Sequence, residues 1–246
     1  MAYTTINKSS AHFNTATWTG NNTARSITGV GHQPDLVWIK SRTQSYDHAL
    51  FDAVRDGHTY YIETNTNSAE ITDAQTLTSM NSDGFSLGTS NLVNQNVQNH
   101  VAWNWKANGT GAANTAGSIN STVSVNTTAG FSIVKYTGTG SAATVGHGLG
   151  VKPDMIFSKP YSTTGDWNIY HDSFSAQQRI KLNSTGAVST NSGIFSSLPT
   201  STLVNIGTSG DINANGTSHL FYCFNSVKGY SKFGSYVGNG SDDGVF

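Results

Sequence analysis

Short apolar, β-branched and aromatic runs alternate with clusters of Gly, Asn, Asp and Ser along the whole chain. Leu36 to Lys40, His100 to Trp105, Phe131 to Tyr136, Met155 to Lys159 and His219 to Phe224 each read as a strand, because such side chains fit a pleated, half-buried surface. In Val101-Ala102-Trp103-Asn104-Trp105 the two-residue period puts both Trp rings on one face, with Ala102 and Asn104 on the other. The residues between the runs are those that turns need, for positive φ or a side chain–backbone hydrogen bond. No window long enough for an ordinary helix carries a helical period. The pattern predicts an all-β fold of antiparallel sheets packed as a sandwich or jelly roll.

The runs also repeat. Pro34-Asp35-Leu36-Val37-Trp38-Ile39-Lys40 returns as Pro153-Asp154-Met155-Ile156-Phe157-Ser158-Lys159, 119 positions later (34 to 153). At the same offset Gly29-Val30-Gly31 matches Gly148-Leu149-Gly150, and Asp47-His48-Ala49-Leu50-Phe51 matches Asp166-Trp167-Asn168-Ile169-Tyr170. Ser86-Leu87-Gly88 matches Asn205-Ile206-Gly207, and the strand at His100 matches the one at His219. Trp18-Thr19-Gly20 and Tyr136-Thr137-Gly138 stand 118 apart. A period this long denotes tandem domains rather than a solenoid. The expected organisation is a first β-sandwich repeat over 1–106, a Gly/Asn/Thr-rich linker over 107–129 with room for one strand near Ile119 to Val125, and a second repeat over 130–246. Phe233-Gly234-Ser235-Tyr236-Val237-Gly238-Asn239-Gly240 echoes the opening of the repeats and is expected to add a C-terminal strand that pairs back at an edge or crosses to a neighbouring subunit.

Composition narrows the function. Charged residues are 11% of the 246, with a formal net charge of −1 and no Lys/Arg run. Nucleic acid is therefore an unexpected partner, since phosphate binding needs clustered cations. The aromatic content of 11% supplies a core and argues against disorder. The lone Cys223 sits in an apolar run, so it reads as a buried, inert thiol, and no intrachain disulfide or Cys-based metal site is expected. No apolar stretch has the length of a membrane span, and the N-terminus lacks a signal-peptide h-region. The Asn-x-Ser/Thr sequons, at Asn21, Asn108, Asn120, Asn183 and Asn215, then reflect composition.

Few residues suggest chemistry. Gly146-His147-Gly148-Leu149-Gly150 resembles a phosphate loop, but Lys152-Pro153-Asp154 and a strand follow it, where such a loop needs a helix. His100 and His219 head equivalent strands without a metal-ligand spacing, so each reads as a hydrogen-bonded histidine at a strand end. Glycoside hydrolysis needs two facing carboxylates. The only Glu are Glu63 and Glu70, and most Asp lie in turns such as Asp56-Gly57 and Asp83-Gly84. Asp35 and Asp154 recur before strands, as turn caps would. Asp242-Asp243-Gly244 is a weak Ca²⁺ signal. Neither catalytic residues, nor a metal, nor a cofactor is expected. Glycan binding needs an aromatic face beside Asp or Asn, and Tyr46 with Asp47, and Asp166 with Trp167, offer that in equivalent loops.

The order aromatic-Thr-Gly, Gln33-Pro34-Asp35-Leu36-Val37-Trp38-Ile39-Lys40, Asp47-His48-Ala49-Leu50-Phe51-Asp52, Asn81-Ser82-Asp83-Gly84-Phe85-Ser86-Leu87-Gly88, Val101-Ala102-Trp103-Asn104-Trp105-Lys106 resembles a repeat module of marine tailed bacteriophages, cyanophages especially. Such proteins are usually labelled virion structural or tail-fibre proteins, and the resemblance extends to a lectin-like sandwich fold. The resemblance implies a non-enzymatic virion component (capsid decoration, fibre or spike), assembled in the host cytoplasm and exposed on the particle. Its expected partners are itself, as a trimer, and other virion proteins, without membrane insertion. The alternative expectation is a receptor-binding lectin-type module that recognises a host surface glycan.

Overall fold

In the computed structural model, which describes residues 4–55 and 58–240, the apolar runs form antiparallel strands. The first half carries β1 (Phe13–Thr19), β2 (Arg25–Thr28), β3 (Leu36–Ser41), β4 (Ala49–Asp52), β5 (Tyr60–Glu63), β6 (Ile71–Thr72), β7 (Leu77–Asn81), β8 (Gly84–Leu87) and β9 (Asn99–Trp105). Then come β10 (Ala112–Asn114) and β11 (Ser121–Asn126). The second half carries β12 (Phe131–Thr137), β13 (Ala143–Gly146), β14 (Met155–Pro160), β15 (Asn168–His171), β16 (Gln178–Lys181), β17 (Ser189–Thr190), β18 (Leu203–Ile206) and β19 (Ser218–Phe224). Two single-turn helices, α1 (Asn91–Asn94) and α2 (Gly210–Asn213), precede β9 and β19.

The protein is all-β. One large sheet has the order β1-β9-β3-β4-β5-β6, and the other β10-β11-β12-β19-β14-β15-β16-β17. From β12 onward the second follows the strand order of the first. Two small sheets, β2-β8-β7 and β13-β18, complete the set.

Alternation sorts the side chains into three cores. Val37, Ile39, Phe51 and Ala102 of the first large sheet pack on Ile27, Phe85 and Leu87 of its small sheet. Val134, Ile156, Phe221 and Cys223 of the second do the same with Val145, Val204 and Ile206. The opposite faces of the two large sheets then meet each other, Leu36, Leu50 and Ile62 against Ile133, Leu220, Tyr222 and Phe224. The layers run small, large, large, small. Each fully buried large apolar side chain in this central seam contributes about 1.5–3 kcal/mol.

Within 107–129, β11 stands close to the strand expected near Ile119 to Val125: it pairs with β12 from Ser121↔Tyr136 to Asn126↔Phe131, and β10 pairs with β11. The Ser/Thr/Val alternation of β11 buries Val123 and Ser124, and the Ser124 hydroxyl accepts the Asn108 N–H at 2.8 Å. The expected C-terminal strand does not form within 225–240. The chain turns at 227–231, and the Phe233 N–H goes to the Ser226 hydroxyl rather than to a neighbouring strand. The Asp56-Gly57 and Asp242-Asp243-Gly244 readings lie outside the described residues.

Asp35 and Asp154 do cap, but what they cap is remote in sequence. The Asp35 carboxylate accepts from Ala107 N–H at 2.6 Å and Gly109 N–H at 3.1 Å, and Asp154 accepts from Ser226 N–H at 2.7 Å. Each thereby fixes the exit of the last strand of its half.

The seam also contains charge. Arg55 Nε donates to Asp52 at 2.7 Å and Arg55 Nη2 to the Leu50 carbonyl at 2.9 Å, all buried. Asp52 takes the Val54 and Arg55 N–H groups on its other oxygen, both at 3.0 Å. The Tyr222 hydroxyl crosses from the second half and donates to Asp52 at 2.7 Å. Burial alone would raise the Asp52 carboxyl, but the Arg55 charge and these hydrogen bonds hold it below its ordinary value. Removing one partner of such a set leaves an uncompensated buried charge. Asp52→Ala is therefore expected to cost about 3–5 kcal/mol and Tyr222→Phe about 1–2 kcal/mol, read by urea unfolding; a loss below experimental error for Asp52→Ala would contradict the assignment.

Candidate functional site

The seam does not close along its whole length. In β9, Ala102 and Asn104 are buried toward the first small sheet, whereas Trp103 and Trp105 are half-buried on the face turned to the second half. Trp105 meets Phe13 at 4.9 Å between ring centroids, Phe131 at 6.4 Å and Phe224 at 6.2 Å. Phe224 in turn stacks on Phe131 at 4.9 Å and touches Phe157 at 5.7 Å and Phe233 at 5.6 Å. Such ring pairs add about 0.5–1.5 kcal/mol each beyond their buried area.

Two cavities border this cluster and share Trp105, Phe224 and Phe233. One, of about 270 Å³, opens beside Phe13, Phe131 and Tyr230, with Asn225, Ser231 and the exposed Lys232 on its rim. The other, of about 140 Å³, is almost wholly apolar and reaches Trp38, Leu50 and Phe157. Phe233 lines both. Ring faces with a few hydrogen-bonding groups at the edge suit apolar or C–H-rich ligand faces. A separate depression of about 370 Å³ is polar, formed by the hydroxyls of Ser121, Thr122, Thr137 and Ser218 beside Lys135.

The residues proposed from the sequence for glycan binding lie elsewhere, and none of the four lines these cavities. Trp167 is fully buried in the seam, and its indole N–H donates to the Glu63 carbonyl at 2.8 Å, so its ring offers no face to a sugar. Asp166 is engaged by Lys181 and by the Asn183 amide at 2.9 Å. Tyr46 and Asp47 are half-buried in the first half, where Asp47 accepts from the Asn65 amide at 2.6 Å. The two pairs are not brought into one groove with the aromatic cluster. The cavity-lining Trp105 and Phe224 end two equivalent strands, and a β9 face with both Trp rings on it was their sequence signal.

Other groups with latent chemistry are absorbed by packing. Cys223 is buried, and burial pushes its thiol up to about 12. Lys159 is buried and donates to the carbonyls of Gly165 at 2.8 Å and Asn67 at 3.3 Å. Burial draws its ammonium down to about 8, against the pull of Asp211 and Asp166. Glu63 accepts from the Thr66 hydroxyl at 2.8 Å, and Glu70 pairs with Arg55. Gly146–Gly150 leads into a loop and a strand, with His147 buried against the Thr200 carbonyl. No group of three or more His, Cys, Asp or Glu that could hold a metal occurs among the described residues. No helix among them is long and apolar enough to cross a membrane.

His100 and His219 are fully buried, and each stacks on an aromatic ring, Trp18 at 5.5 Å and Tyr136 at 5.3 Å. Burial pushes the His219 imidazole down to about 4, partly offset by the Ala214 backbone and reinforced by Lys159.

The fold is thus an antiparallel, sandwich-type all-β architecture with an aromatic opening in its seam. The chain belongs to the family described as Domain of unknown function (DUF7483), whose model matches residues 8–246. No curated protein matches it, and no solved structure does.

A group whose folded value lies below its unfolded one stabilises the native state above the unfolded value, and that stability is lost as pH falls toward the folded value. For His219 the window is pH 6.5 to 4, and His12, His32, His48, His100 and His147 are shifted in the same direction. Asp35 and Glu63, raised by burial, oppose this nearer the bottom of the window. Between pH 7.5 and pH 5 the His219 contribution falls by about 2 kcal/mol. Thermal melts are expected to show a lower midpoint at pH 5, with a smaller drop in His219→Leu; an unchanged drop in that variant would contradict the role given to His219.

Proposed function

We propose that the chain is a non-enzymatic structural protein of a bacteriophage particle, a capsid-decoration, fibre or spike component. The observation that carries the reading is the seam. It joins the two halves into one block and uses Asp52, Arg55, Lys159 and Trp167, the residues best suited to chemistry, for packing and internal hydrogen bonds. A block of this kind with few charged side chains suits close packing against other protein surfaces. The tailed-phage resemblance of the repeated motifs points the same way. On this reading the partners are other copies and other virion proteins, and the protein is exposed on the particle. Mass spectrometry and antibody labelling of purified particles of a phage carrying this gene are expected to find the chain on the particle surface. Its presence only in lysate, never on particles, would contradict the reading.

A receptor-binding, lectin-type role is the second reading, and one observation favours it: half-exposed rings and a polar rim surround an open cavity of about 270 Å³. This moves the glycan expectation from Trp167 to Trp105, Phe13 and Phe233. A glycan array is expected to return a saccharide whose binding is lost in Phe233→Ala while the melting temperature is kept. Failure to bind any saccharide would remove this reading.

A further inference from the structure

The two large sheets differ at one edge. Within β1, register runs from Phe13↔Trp105 to Thr19↔Asn99. Beyond its two ends, Lys106 N–H donates to the His12 carbonyl and Gly20 N–H to the Gln98 carbonyl. In an antiparallel pair, hydrogen-bonded and non-hydrogen-bonded positions alternate, so residues 14, 16 and 18 exchange bonds with β9. Phe13, Thr15, Thr17 and Thr19 point their N–H and C=O groups away from the sheet.

At the equivalent edge of the second half, Phe131, Ile133 and Lys135 point outward from β12, and β11 pairs them with Asn126, Ser124 and Thr122. Among the described residues nothing pairs with β1 in that way. Among the described residues two local bonds touch its edge: Thr15 N–H donates to its neighbour Asn14 Oδ1 at 3.0 Å, and Arg25 donates to the Thr19 carbonyl at 2.9 Å. Both Thr17 backbone groups remain without a strand partner among the described residues.

Long, regular edges are ordinarily protected by charge, Pro, a bulge or short length. The other large-sheet ends follow that rule by length, with β6 and β17 of two residues each and β10 of three. β1 has seven residues, no charge, no Pro and no register shift, and Thr15, Thr17 and Thr19 are exposed.

We propose that the β1 edge is a self-association surface, at which the β1 strands of two copies pair antiparallel about a two-fold axis at Ala16. The sequence favours a second copy over an unrelated strand because Thr15 and Thr17, equidistant from Ala16, are the same β-branched residue, so a two-fold at Ala16 sets threonine opposite threonine twice. Thr15 of one copy faces Thr17 of the other, and Phe13 faces Thr19. Threonine opposite threonine is a favourable cross-strand pair, and no like charges meet. The pairing joins the two six-stranded sheets edge to edge by an isologous contact, in the way that β11 already extends β12 within one chain. It stands whether or not the chain is a virion component.

The test is light scattering and sedimentation equilibrium on the full chain, with circular dichroism to confirm folding. Wild type is expected to dimerise. Thr15→Lys with Thr17→Lys sets lysines opposite one another twice, and the dissociation constant is expected to rise at least about tenfold. Thr15→Glu with Thr17→Lys sets opposite charges across the same two-fold and is expected to restore the dimer. Pairing with a different protein's strand would show no such rescue. A wild-type monomer at high concentration, a dimer indifferent to the double lysine variant, or lack of rescue by the Glu/Lys variant would each overturn the proposal.

Discussion

The hydroxyl of Tyr222, on the last strand of the second half, reaches into the first half and donates to Asp52, which also holds Arg55. Such a set is stable only when every member is satisfied, because each charge in it has lost its water. It therefore fixes how the two large sheets lie on one another. Around it the apolar faces close, and further bonds cross between halves at Trp167 to Glu63, Glu70 to Tyr161 and Gly165 to Asn67. Apolar burial supplies most of the energy of the seam, and the polar set supplies its register.

That register decides where binding can occur. With Leu36, Leu50 and Ile62 pressed against the second sheet, the rings at the strand ends, Trp105 and Phe224, come to the margin of the seam, where packing is incomplete. Phe233 folds onto Phe224 and lines both cavities. The candidate site is thus a product of joining the halves, with walls from both.

Much of this was legible in the residues. The alternation of β9 gave its two faces correctly, and the strands at Leu36, Phe131, Met155 and His219 stand within a residue or two of their expected places. The recurrence of Asp35 and Asp154 marked caps. What escaped was the second buried face. Period-two alternation identifies a strand with one wet side, but Leu220-Phe221-Tyr222-Cys223-Phe224 has no polar alternate, and β4 and β15 are buried at every position. A strand buried on both faces reads as a continuous apolar run, and that run was the available signal for sheets packed back to back. Trp167 was misplaced for the same reason, since a loop ring beside Asp suggests exposure until a second sheet covers it. β11 was placed to within a residue or two despite its linker-like Ser, Thr and Asn content, but nothing local showed that it would pair with β12. The Tyr222–Asp52 contact spans 170 positions, and no local pattern encodes it.

The claim that rests most heavily on this geometry is that the seam makes the halves one cooperative unit. Native-state amide hydrogen exchange across a denaturant series tests it, because the slowest amides of each half report the opening that exposes it. The account predicts that the slowest amides of β9 and of β19 share one opening free energy and merge along one denaturant dependence. Amides of one half exchanging through a separate, lower-energy opening, with the other half still protected, would contradict it.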